Sequence, residues 1–443
     1  MIHTGRLTRR RFIRLGSGWA ALSAAPLALA QEAKEVTLPK NRRLFLLVDW
    51  FHIKKGELRA VLDPARISAE GRKQIEKLAR EFGPRFEEGP HGLRPVDVPF
   101  GVRITQEAAR KTRPWLPPDQ PWEQSISWCT VLKEGARYRC WYQTRLNPAP
   151  QDLAMSDGRG MELKGSALAY AESTDGLVWT KPALNVLSYN GTTQNNLVSP
   201  YANGGSVFRD DHGPPEERYK AFHFDELPRA ETGAPAASSK LYGLYAVTSP
   251  DGYRWKRHSK PLIRYFSDTD NIAAWDSLLG KYVGFFRHHF SERTISRAET
   301  DDFWNWPPPQ PLLYSDPQDA PADDYYTSGY TVYPDDPSLR LLFAAIYHRD
   351  TDLVDVRLAI SRDGRVFQWL SREPILRHGL VGEWDAGAVY AAPNLVHLPD
   401  RSLALPFSGY NTSHNEAWFK NFYTSYKNLS GAAWATWGHC CPN

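Results

Sequence analysis

The sequence predicts an all-β protein, a five-bladed β-propeller with an inserted surface helix, and three observations lead to that fold. An Asp-Gly turn motif recurs along the chain, a strand hairpin recurs between its copies, and the composition favours strands and turns. Aromatic residues make up 13% of the 443 residues, together with 34 prolines and 31 glycines. Such a chain is too hydrophobic and too weakly charged to be disordered.

The turn motif is Ser/Thr-x-Asp-Gly or a close variant, followed within a few residues by an aromatic side chain. Full copies lie in 170–179, 245–255 and 358–367, and a degenerate copy lies in 297–306. The Asp side chain can bond nearby backbone amides, and the Gly adopts positive φ, so each copy predicts a strand, a turn and a second strand.

A second hairpin, with an aromatic-rich returning strand, recurs between these copies. It is found five times, in 127–142, 206–222, 271–286, 329–345 and 388–407. One such hairpin and one Asp-Gly hairpin make a four-stranded unit, and units of this kind arranged radially form a propeller of five blades. We expect the apolar segment 43–50 to complete the last blade and close the ring.

One segment departs from the strand pattern. Residues 68–83 place Ile75, Leu78, Ala79 and Phe82 at helical spacing, between a capping Ser and a terminating Gly. The pattern predicts a helix inserted on the surface before the first blade.

The first 30 residues predict a signal peptide. They contain five arginines and no acidic residue, with Arg9, Arg10 and Arg11 before an apolar stretch and a small-residue cleavage site at 28–30. The paired arginines are typical of twin-arginine export, and an ordinary secretory leader is the alternative. We therefore expect a periplasmic or secreted protein that uses the twin-arginine export machinery.

The rest of the chain is close to neutral, which argues against a basic nucleic-acid-binding body. No run of 18 apolar residues follows residue 30, so we expect no membrane segment in the mature form.

Cys129 and Cys140 flank one predicted hairpin, where a disulfide and two buried free thiols are both compatible with the spacing. No cysteine spacing fits a zinc site.

Several motifs resemble those of the five-bladed propeller glycoside hydrolases, which include the invertase/inulinase and the arabinanase/xylosidase families. The similarity is greatest to uncharacterised secreted bacterial members and covers about 43–425. Two invertase motifs, Trp-x-Asn-Asp-Pro and Glu-Cys, are absent, so no catalytic residue is carried over from the family. The motifs that carry the resemblance are Pro121-Trp122-Glu123, Asn195-Asn196, 217–221, 268–271 and 361–364.

The resemblance and the repeats together predict four segments. These are a twin-arginine signal peptide at 1–30, a closing strand with the helical insert at 31–118, the propeller at 119–425, and a truncated C-terminal remnant at 426–443. The remnant is expected because related chains continue into a C-terminal β-sandwich.

Candidate chemistry comes from acidic residues at the starts of the predicted inner strands, where a propeller's strands converge. Glycoside hydrolysis needs two carboxyl groups flanking the bond. Asp268 with Asp270, and Glu383 with Asp385, stand two residues apart, so on a strand each pair would share a face and like-charge crowding would raise one pKa. We predict Asp270 and Glu383 as the catalytic pair. Turn capping is the competing interpretation for each acid.

Further acidic, basic and aromatic residues near these strand ends are predicted to bind substrate. For the histidines and tryptophans, structural packing is the alternative. The predicted binding residues are Glu123, Asp268, Asp324, Asp385, Arg287, His288, His348, His414, Trp122 and Trp384.

The functional prediction is an exported glycoside hydrolase that cleaves glycosidic bonds of an oligo- or polysaccharide with a carboxylate pair in the propeller channel. The alternatives are a non-catalytic carbohydrate-binding propeller and a cofactor-dependent exported enzyme. We expect a carbohydrate substrate and no required cofactor. A structural Ca²⁺ is suggested only by analogy with the family.

Overall fold

The computed structural model describes residues 64–82, 86–89, 92–95, 105–147, 153–155, 165–201, 204–227, 241–289, 292–415 and 429–437. The predicted signal peptide and the segment 43–50 lie outside the described residues. The chain divides into two compact units, one of Met1–Thr105 with Cys440–Asn443 and one of Gln106–His439.

The described part of the first unit contains a short 3-10 helix (Pro64–Arg66), the helix α1 (Ala69–Phe82), and the antiparallel strands β1 (Phe86–Gly89) and β2 (Gly92–Pro95). Helix α1 covers the segment with helical spacing of apolar residues. Ser68 caps it, because its Oγ accepts the Gly71 N–H at 3.1 Å. That this helix is an insertion into a propeller stays a prediction.

The second unit is built almost entirely of strands, with one short 3-10 helix (Pro215–Glu217). Its strands are β3 (Arg110–Lys111), β4 (Glu123–Glu134), β5 (Arg137–Leu146), β6 (Leu153–Met155), β7 (Ser166–Ser173), β8 (Leu187–Tyr189), β9 (Leu197–Ser199), β10 (Phe208–Arg209), β11 (Tyr219–Glu226), β12 (Tyr242–Ser249), β13 (Lys256–Ile263), β14 (Ile272–Asp276), β15 (Lys281–His289), β16 (Arg293–Thr300), β17 (Gln310–Leu313), β18 (Asp323–Thr327), β19 (Tyr330–Val332), β20 (Arg340–His348), β21 (Leu353–Ser361), β22 (Gln368–Trp369), β23 (Ala388–Ala391), β24 (Val396–His397), β25 (Leu403–Tyr410) and β26 (Ser430–Trp437).

These strands form antiparallel sheets in sequence order. Three sheets have four strands each, in the orders β4-β5-β7-β9, β10-β11-β12-β13 and β14-β15-β16-β17. A ten-stranded sheet contains two further antiparallel groups, β18 to β22 and β23 to β26 with β3, which one parallel pair between Val354 and Ala388 joins. Strands β6 and β8 form a separate two-stranded sheet. All five predicted hairpins are antiparallel strand pairs.

Strand β26 pairs with β25 through eight residues, so 430–437, within the segment predicted as a remnant, form a strand of the ten-stranded sheet. On its other side β26 pairs with β3, where Lys111 pairs with Ala435. Trp434 of β26 is 1% exposed and packs against Trp115, with ring centroids 5.0 Å apart. The division of the chain into four segments stays a prediction.

The Asp-Gly motifs form the same hydrogen-bonded turn at each full copy. In the second sheet, Ser249 Oγ accepts the Gly252 N–H at 2.9 Å, and Asp251 Oδ1 accepts the amides of the two residues after Gly252 at 2.8 and 2.9 Å. The indole of Trp255 then donates to the Gly252 carbonyl at 2.9 Å. Equivalent turns form at Ser173-Asp175-Gly176 and Ser361-Asp363-Gly364.

Two of these turns also contact a neighbouring sheet. The Gly252 carbonyl accepts the indole N–H of Trp141, which lies on β5 of the first sheet. The Gly176 carbonyl of the first sheet accepts the indole N–H of Trp434, which lies on β26 of the last group. The turn motif therefore closes its own hairpin and connects neighbouring sheets.

Gly252→Ala is expected to destabilise the protein more than Gly135→Ala. Both glycines have positive φ, +81° and +61°, which costs an L-residue about 1–2 kcal/mol. A Cβ at Gly252 would lie 2.5 Å from Trp141, whereas a Cβ at Gly135 meets nothing within 4 Å. Overpacking should add about 1–3 kcal/mol at Gly252 only. Chemical denaturation measures the free energy of unfolding of both variants. Equal losses would contradict the close packing of the Gly252 turn against Trp141.

The aromatic residues that stand out in the composition pack between adjacent sheets. Phe222 of β11 lies 5.4 Å from Phe286 of β15, and Phe285 of β15 stacks on Tyr330 of β19 at 4.2 Å between ring centroids.

Among the described residues, no helix has the length and apolar character needed to span a membrane.

Candidate functional site

Asp270, one of the two predicted catalytic residues, is a buried carboxyl group. It is 2% exposed, and both of its oxygens lie 2.8 Å from the Ser206 hydroxyl, which donates to them. Burial raises its pKa to about 7, and the Ser206 hydrogen bond only partly opposes that effect. The expected cause, crowding by Asp268, is wrong, because both residues precede β14 and their side chains occupy different environments.

Glu383, the other predicted catalytic residue, is exposed and caps a turn. Its Oε2 accepts the Leu380 N–H at 2.7 Å. Asp385 is instead buried and forms an ion pair with Lys111 at 2.6 Å. Glu383 and Asp385 precede β23 and are not part of a strand, yet their carboxylates lie on the same side, since Oε2 of Glu383 and Oδ1 of Asp385 both come within 2.5 Å of the position of a Cβ on Gly379. No described contact joins Glu383 to Asp270 or to the residues around Asp270.

Trp384 packs beside Phe407, at 5.7 Å between ring centroids. It therefore belongs to the sheet packing around Asp385 and not to a surface shared with Asp270.

Glu123 and Trp122 belong to a polar network inside the first sheet. Glu123 accepts hydrogen bonds from Tyr142 and Lys181, both at 2.6 Å, and its side chain is fully buried. The Trp122 indole donates to Asn196 Oδ1 at 3.0 Å. These contacts join Trp122 to Asn196 and Glu123 to Tyr142 and Lys181; that Glu123 and Trp122 bind substrate stays a prediction.

His348 is held between two carboxylates. Its Nδ1 lies 2.6 Å from Asp323 and its Nε2 lies 3.1 Å from Asp355, and these hydrogen bonds raise its pKa to about 9. Arg357 also donates to Asp323, at 2.8 Å. His288, on β15, bonds to the Tyr265 hydroxyl. Both histidines are thus part of local polar networks.

The remaining predicted residues lie in or beside one cluster, which we call the aromatic–arginine cluster. It consists of Trp128, Arg287, Arg293, Tyr326, Tyr347, Tyr390 and His414. The ring centroid of His414 lies 4.6 Å from that of Tyr326 and 4.8 Å from that of Tyr347, and the Tyr390 hydroxyl lies 2.8 Å from His414 Nδ1. These residues come from the first sheet, the third sheet and both groups of the ten-stranded sheet.

Trp128 enters the cluster through a distorted backbone. The register of β4 against β5 shifts between Ser127 and Thr130, and Trp128 has a positive φ of 43°. Such a β-bulge redirects a side chain, and strained positions of this kind concentrate at functional sites. The indole meets Tyr390 edge-on, with ring centroids 5.3 Å apart.

Two arginines face the same tyrosine ring. The guanidinium carbons of Arg287 and Arg293 lie 4.6 and 5.5 Å from the centroid of Tyr326. Arg287 forms an ion pair with Asp268, whose side chain is 44% exposed, and Arg293 forms one with buried Asp324 at 2.7 Å. The cluster therefore combines aromatic surface, two cations and their carboxylates.

The charges of the two arginines affect the neighbouring imidazole. Burial and the nearby Arg293 and Arg287 lower the pKa of His414 to about 4, so it is neutral at physiological pH. Burial likewise lowers the pKa of the Arg287 guanidinium, and Arg293 adds to that effect. Neutral His414 can accept a proton at one ring nitrogen and donate from the other.

The sequence interpretation found Asp268, Asp324, Arg287 and His414 but did not select Arg293, Tyr326, Tyr347 or Tyr390. The tyrosines carry a recognisable signal, since Tyr326 and Tyr390 stand in the first strands of their groups, near the acids. His348, which follows Tyr347 on its strand, was selected instead, although adjacent residues of a strand point to opposite faces.

Among the described residues, no group of three or more His, Cys, Asp or Glu side chains is placed to hold a metal ion. Cys129 and Cys140 are buried free thiols, and burial raises the pKa of Cys129 to about 12.

The fold resembles that of solved glycoside hydrolase structures. A solved structure described as a glycoside hydrolase covers 82% of this chain and 95% of its own length, with a TM-score of 0.51 and 12% identity. The alpha-L-arabinofuranosidase PaAbf62A from Podospora anserina, solved with cellotriose, matches with a TM-score of 0.47 and 14% identity over 76% of this chain and 98% of its own. At 12% identity the first of these matches shows a similar fold alone.

Sequence comparison adds one curated relative. Uncharacterized protein Rv1502 of Mycobacterium tuberculosis is 25% identical over 203 residues, which are 44% of this chain and 56% of that protein. The match thus spans little more than half of the relative's length. No protein-family model matches the chain.

Proposed function

We propose that this protein is an exported glycoside hydrolase whose substrate site is the aromatic–arginine cluster of a five-bladed propeller. Each of the three four-stranded sheets and each half of the ten-stranded sheet would be one blade. The observation that carries the proposal is the convergence of side chains from different sheets on one partly open cluster. Ligand sites are lined in this way, by aromatic side chains with a few placed polar groups.

For the chemistry, we propose Asp270 as the proton donor. A pKa of about 7 lets this carboxyl group keep its proton near neutral pH, as a general acid requires. As the second carboxylate we propose Asp268, two residues away, because its side chain is 44% exposed and paired with Arg287. Asp270 would protonate the leaving oxygen while Asp268 acts at the anomeric carbon, directly or through water.

Glu383 does not enter this pair. Its carboxylate already accepts a backbone amide, and its neighbours connect to Lys111 and not to the cluster. Comparing Asp268 with Glu383 therefore separates the present proposal from the pair that the sequence predicts.

The test is hydrolysis of a panel of aryl glycosides and polysaccharides by the full chain and by three variants. Asp268→Asn is expected to lower kcat about 100-fold or more, the range for loss of a positioned acid–base group. Asp301→Asn is the matched control, since Asp301 is 79% exposed and pairs only with Lys281 among the described residues. Full activity of Asp268→Asn would contradict the assignment, and loss of activity in Glu383→Gln would favour the sequence-based pair.

A non-catalytic carbohydrate-binding propeller is the second candidate. The observation that favours it is that the other carboxylates near the cluster already have partners and are not free to act as catalytic groups. Asp324 pairs with Arg293, and Asp352 accepts hydrogen bonds from Tyr347 and Ser413. Saccharide binding without turnover, retained in Asp268→Asn, would support this candidate.

Export by the twin-arginine machinery to the periplasm or beyond forms part of the proposal, as does independence from a cofactor. The proposed partner is a carbohydrate. The support for export is the arginine-rich leader sequence, which fluorescent-fusion localisation with and without 1–30 would test.

A further inference from the structure

Arg287 is a buried cation with unused hydrogen-bond donors. Its side chain is 2% exposed, yet among the described residues neither its Nε nor its Nη1 has a hydrogen-bond partner. Nη2 bonds the carboxylate and carbonyl oxygens of Asp268, and the guanidinium also interacts with Tyr326, whose ring centroid lies 4.6 Å away. Buried donors are normally paired, so two orphaned nitrogens on one cation point to an absent acceptor.

Arg293, whose guanidinium faces the same Tyr326 ring, also has a buried Nε without a partner in the described residues. Oδ1 of Asp324, the ion-pair partner of Arg293, is buried there without a hydrogen bond as well. The hydroxyl groups of Thr327 and Ser328, which follow Tyr326 in the sequence, are likewise buried and unpaired within that part of the chain, and no described contact places them in the cluster.

The buried charge of Arg287 favours an anionic acceptor over a neutral one, while the charge of Arg293 is balanced by its ion pair with Asp324. Asp268, the partner of Arg287, is largely solvent-facing and therefore screened, whereas the guanidinium is buried. Both arginines lower the pKa of His414, which shows that their field reaches the centre of the cluster. Hydrogen bonds to an ionised acceptor are also stronger than those to a neutral sugar hydroxyl.

We propose that the aromatic–arginine cluster binds an anionic group, a carboxylate or a sulfate, on a saccharide, with Arg287 as its main anchor. The aromatic rings would hold the sugar, and the arginines would hold the charged substituent. This inference rests on the proposed function for its site and narrows the substrate class to acidic saccharides.

The test is calorimetric binding to the full chain of matched oligosaccharides: an oligogalacturonate, its methyl ester, a sulfated galactan oligomer and the neutral galactan oligomer. At least one anionic oligomer is expected to bind about tenfold or more tightly than its neutral counterpart. Preference for the uronate or for the sulfated oligomer identifies which anion is recognised. Equal affinity of the charged and neutral oligomers would overturn the proposal, and so would binding of the neutral ones alone or of none.

Arg287→Gln is expected to remove that preference while Arg254→Gln keeps it. Arg254 is 74% exposed and pairs with Asp251 at a distant turn, so it controls for loss of one positive charge. If Arg287→Gln does not fold, the salt dependence of binding by the unmodified chain decides, because an ion contact weakens as salt rises. A preference that survives in folded Arg287→Gln, or that is independent of salt, contradicts the anchor role.

The two proposals fail in different ways. Turnover of neutral glycosides without anion preference would leave the hydrolase proposal intact and overturn this inference. Selective binding of acidic saccharides without any turnover would support this inference and contradict the hydrolase.

Discussion

Asp270→Asn is expected to stabilise the protein above pH 7 and to abolish most of its turnover. The Asp270 carboxyl has an unfolded pKa near 3.8 and a folded pKa of about 7. The folded state therefore binds the proton more tightly, and stability falls as pH rises from about 4 to 7. The neutral amide keeps the Ser206 hydrogen bond without that loss, so the gain reaches up to about 4 kcal/mol at pH 8 and disappears near pH 4.

Thermal melting of the two proteins from pH 4 to pH 8.5 measures this difference directly. The stability gain follows from burial alone, whereas the loss of turnover follows only if the Asp270 proton is used in the reaction. A variant that is stabilised at pH 8 and still active would therefore restrict Asp270 to a structural role. If the stability difference between Asp270→Asn and the unmodified chain is the same at pH 8 as at pH 4, the raised pKa of Asp270 is contradicted.

Arg340→Met is expected to destabilise the protein by about 3–5 kcal/mol, the range for breaking a buried ion pair. Arg340 and Asp276 are each 1% exposed and bond through two parallel contacts, at 2.6 and 2.9 Å. Although burial acts to raise the pKa of Asp276, the bonds from Arg340 and from backbone amides outweigh it and lower that pKa. Removing Arg340 leaves a buried charge between β14 and β20. Urea denaturation at pH 7 measures the loss.

A matched control for this ion pair is Arg365→Gln. Arg365 also bonds a carboxylate in two contacts, to Glu299, but its side chain is 53% exposed. An exposed pair of this kind contributes little to stability, because solvent screens it. The double variant Arg340→Met with Asp276→Asn should recover part of the stability, since it removes the unpaired charge. Similar losses for Arg340→Met and Arg365→Gln would contradict the role of burial.

The strand architecture could be predicted because its signals are local. Asp251 and Gly252 specify their turn through hydrogen bonds within six residues, so a sequence motif contains nearly all of the information. The pairing of β26 with β3 could not be found in the same way. It joins Ala435 to Lys111, more than three hundred residues apart, and two-residue strands have no periodicity to recognise.

The candidate site was predicted less well for the same physical reason. Asp268 and Asp270 were correctly seen as acids before a strand, but the structure gives one a solvent-facing ion pair and the other full burial. That difference depends on Ser206 and Arg287, which other segments supply. Sequence spacing also gave no indication that Arg293 and Tyr390 would meet, since only the arrangement of the sheets brings them to one cluster.

The most direct test of the central claim is a crystal structure of the full chain with the oligosaccharide that binds it most tightly. The account predicts a sugar ring packed against Trp128, Tyr326 or Tyr390, within hydrogen-bonding distance of Arg287. A saccharide bound instead beside Glu123 or Glu383, with the aromatic–arginine cluster empty, would contradict the account.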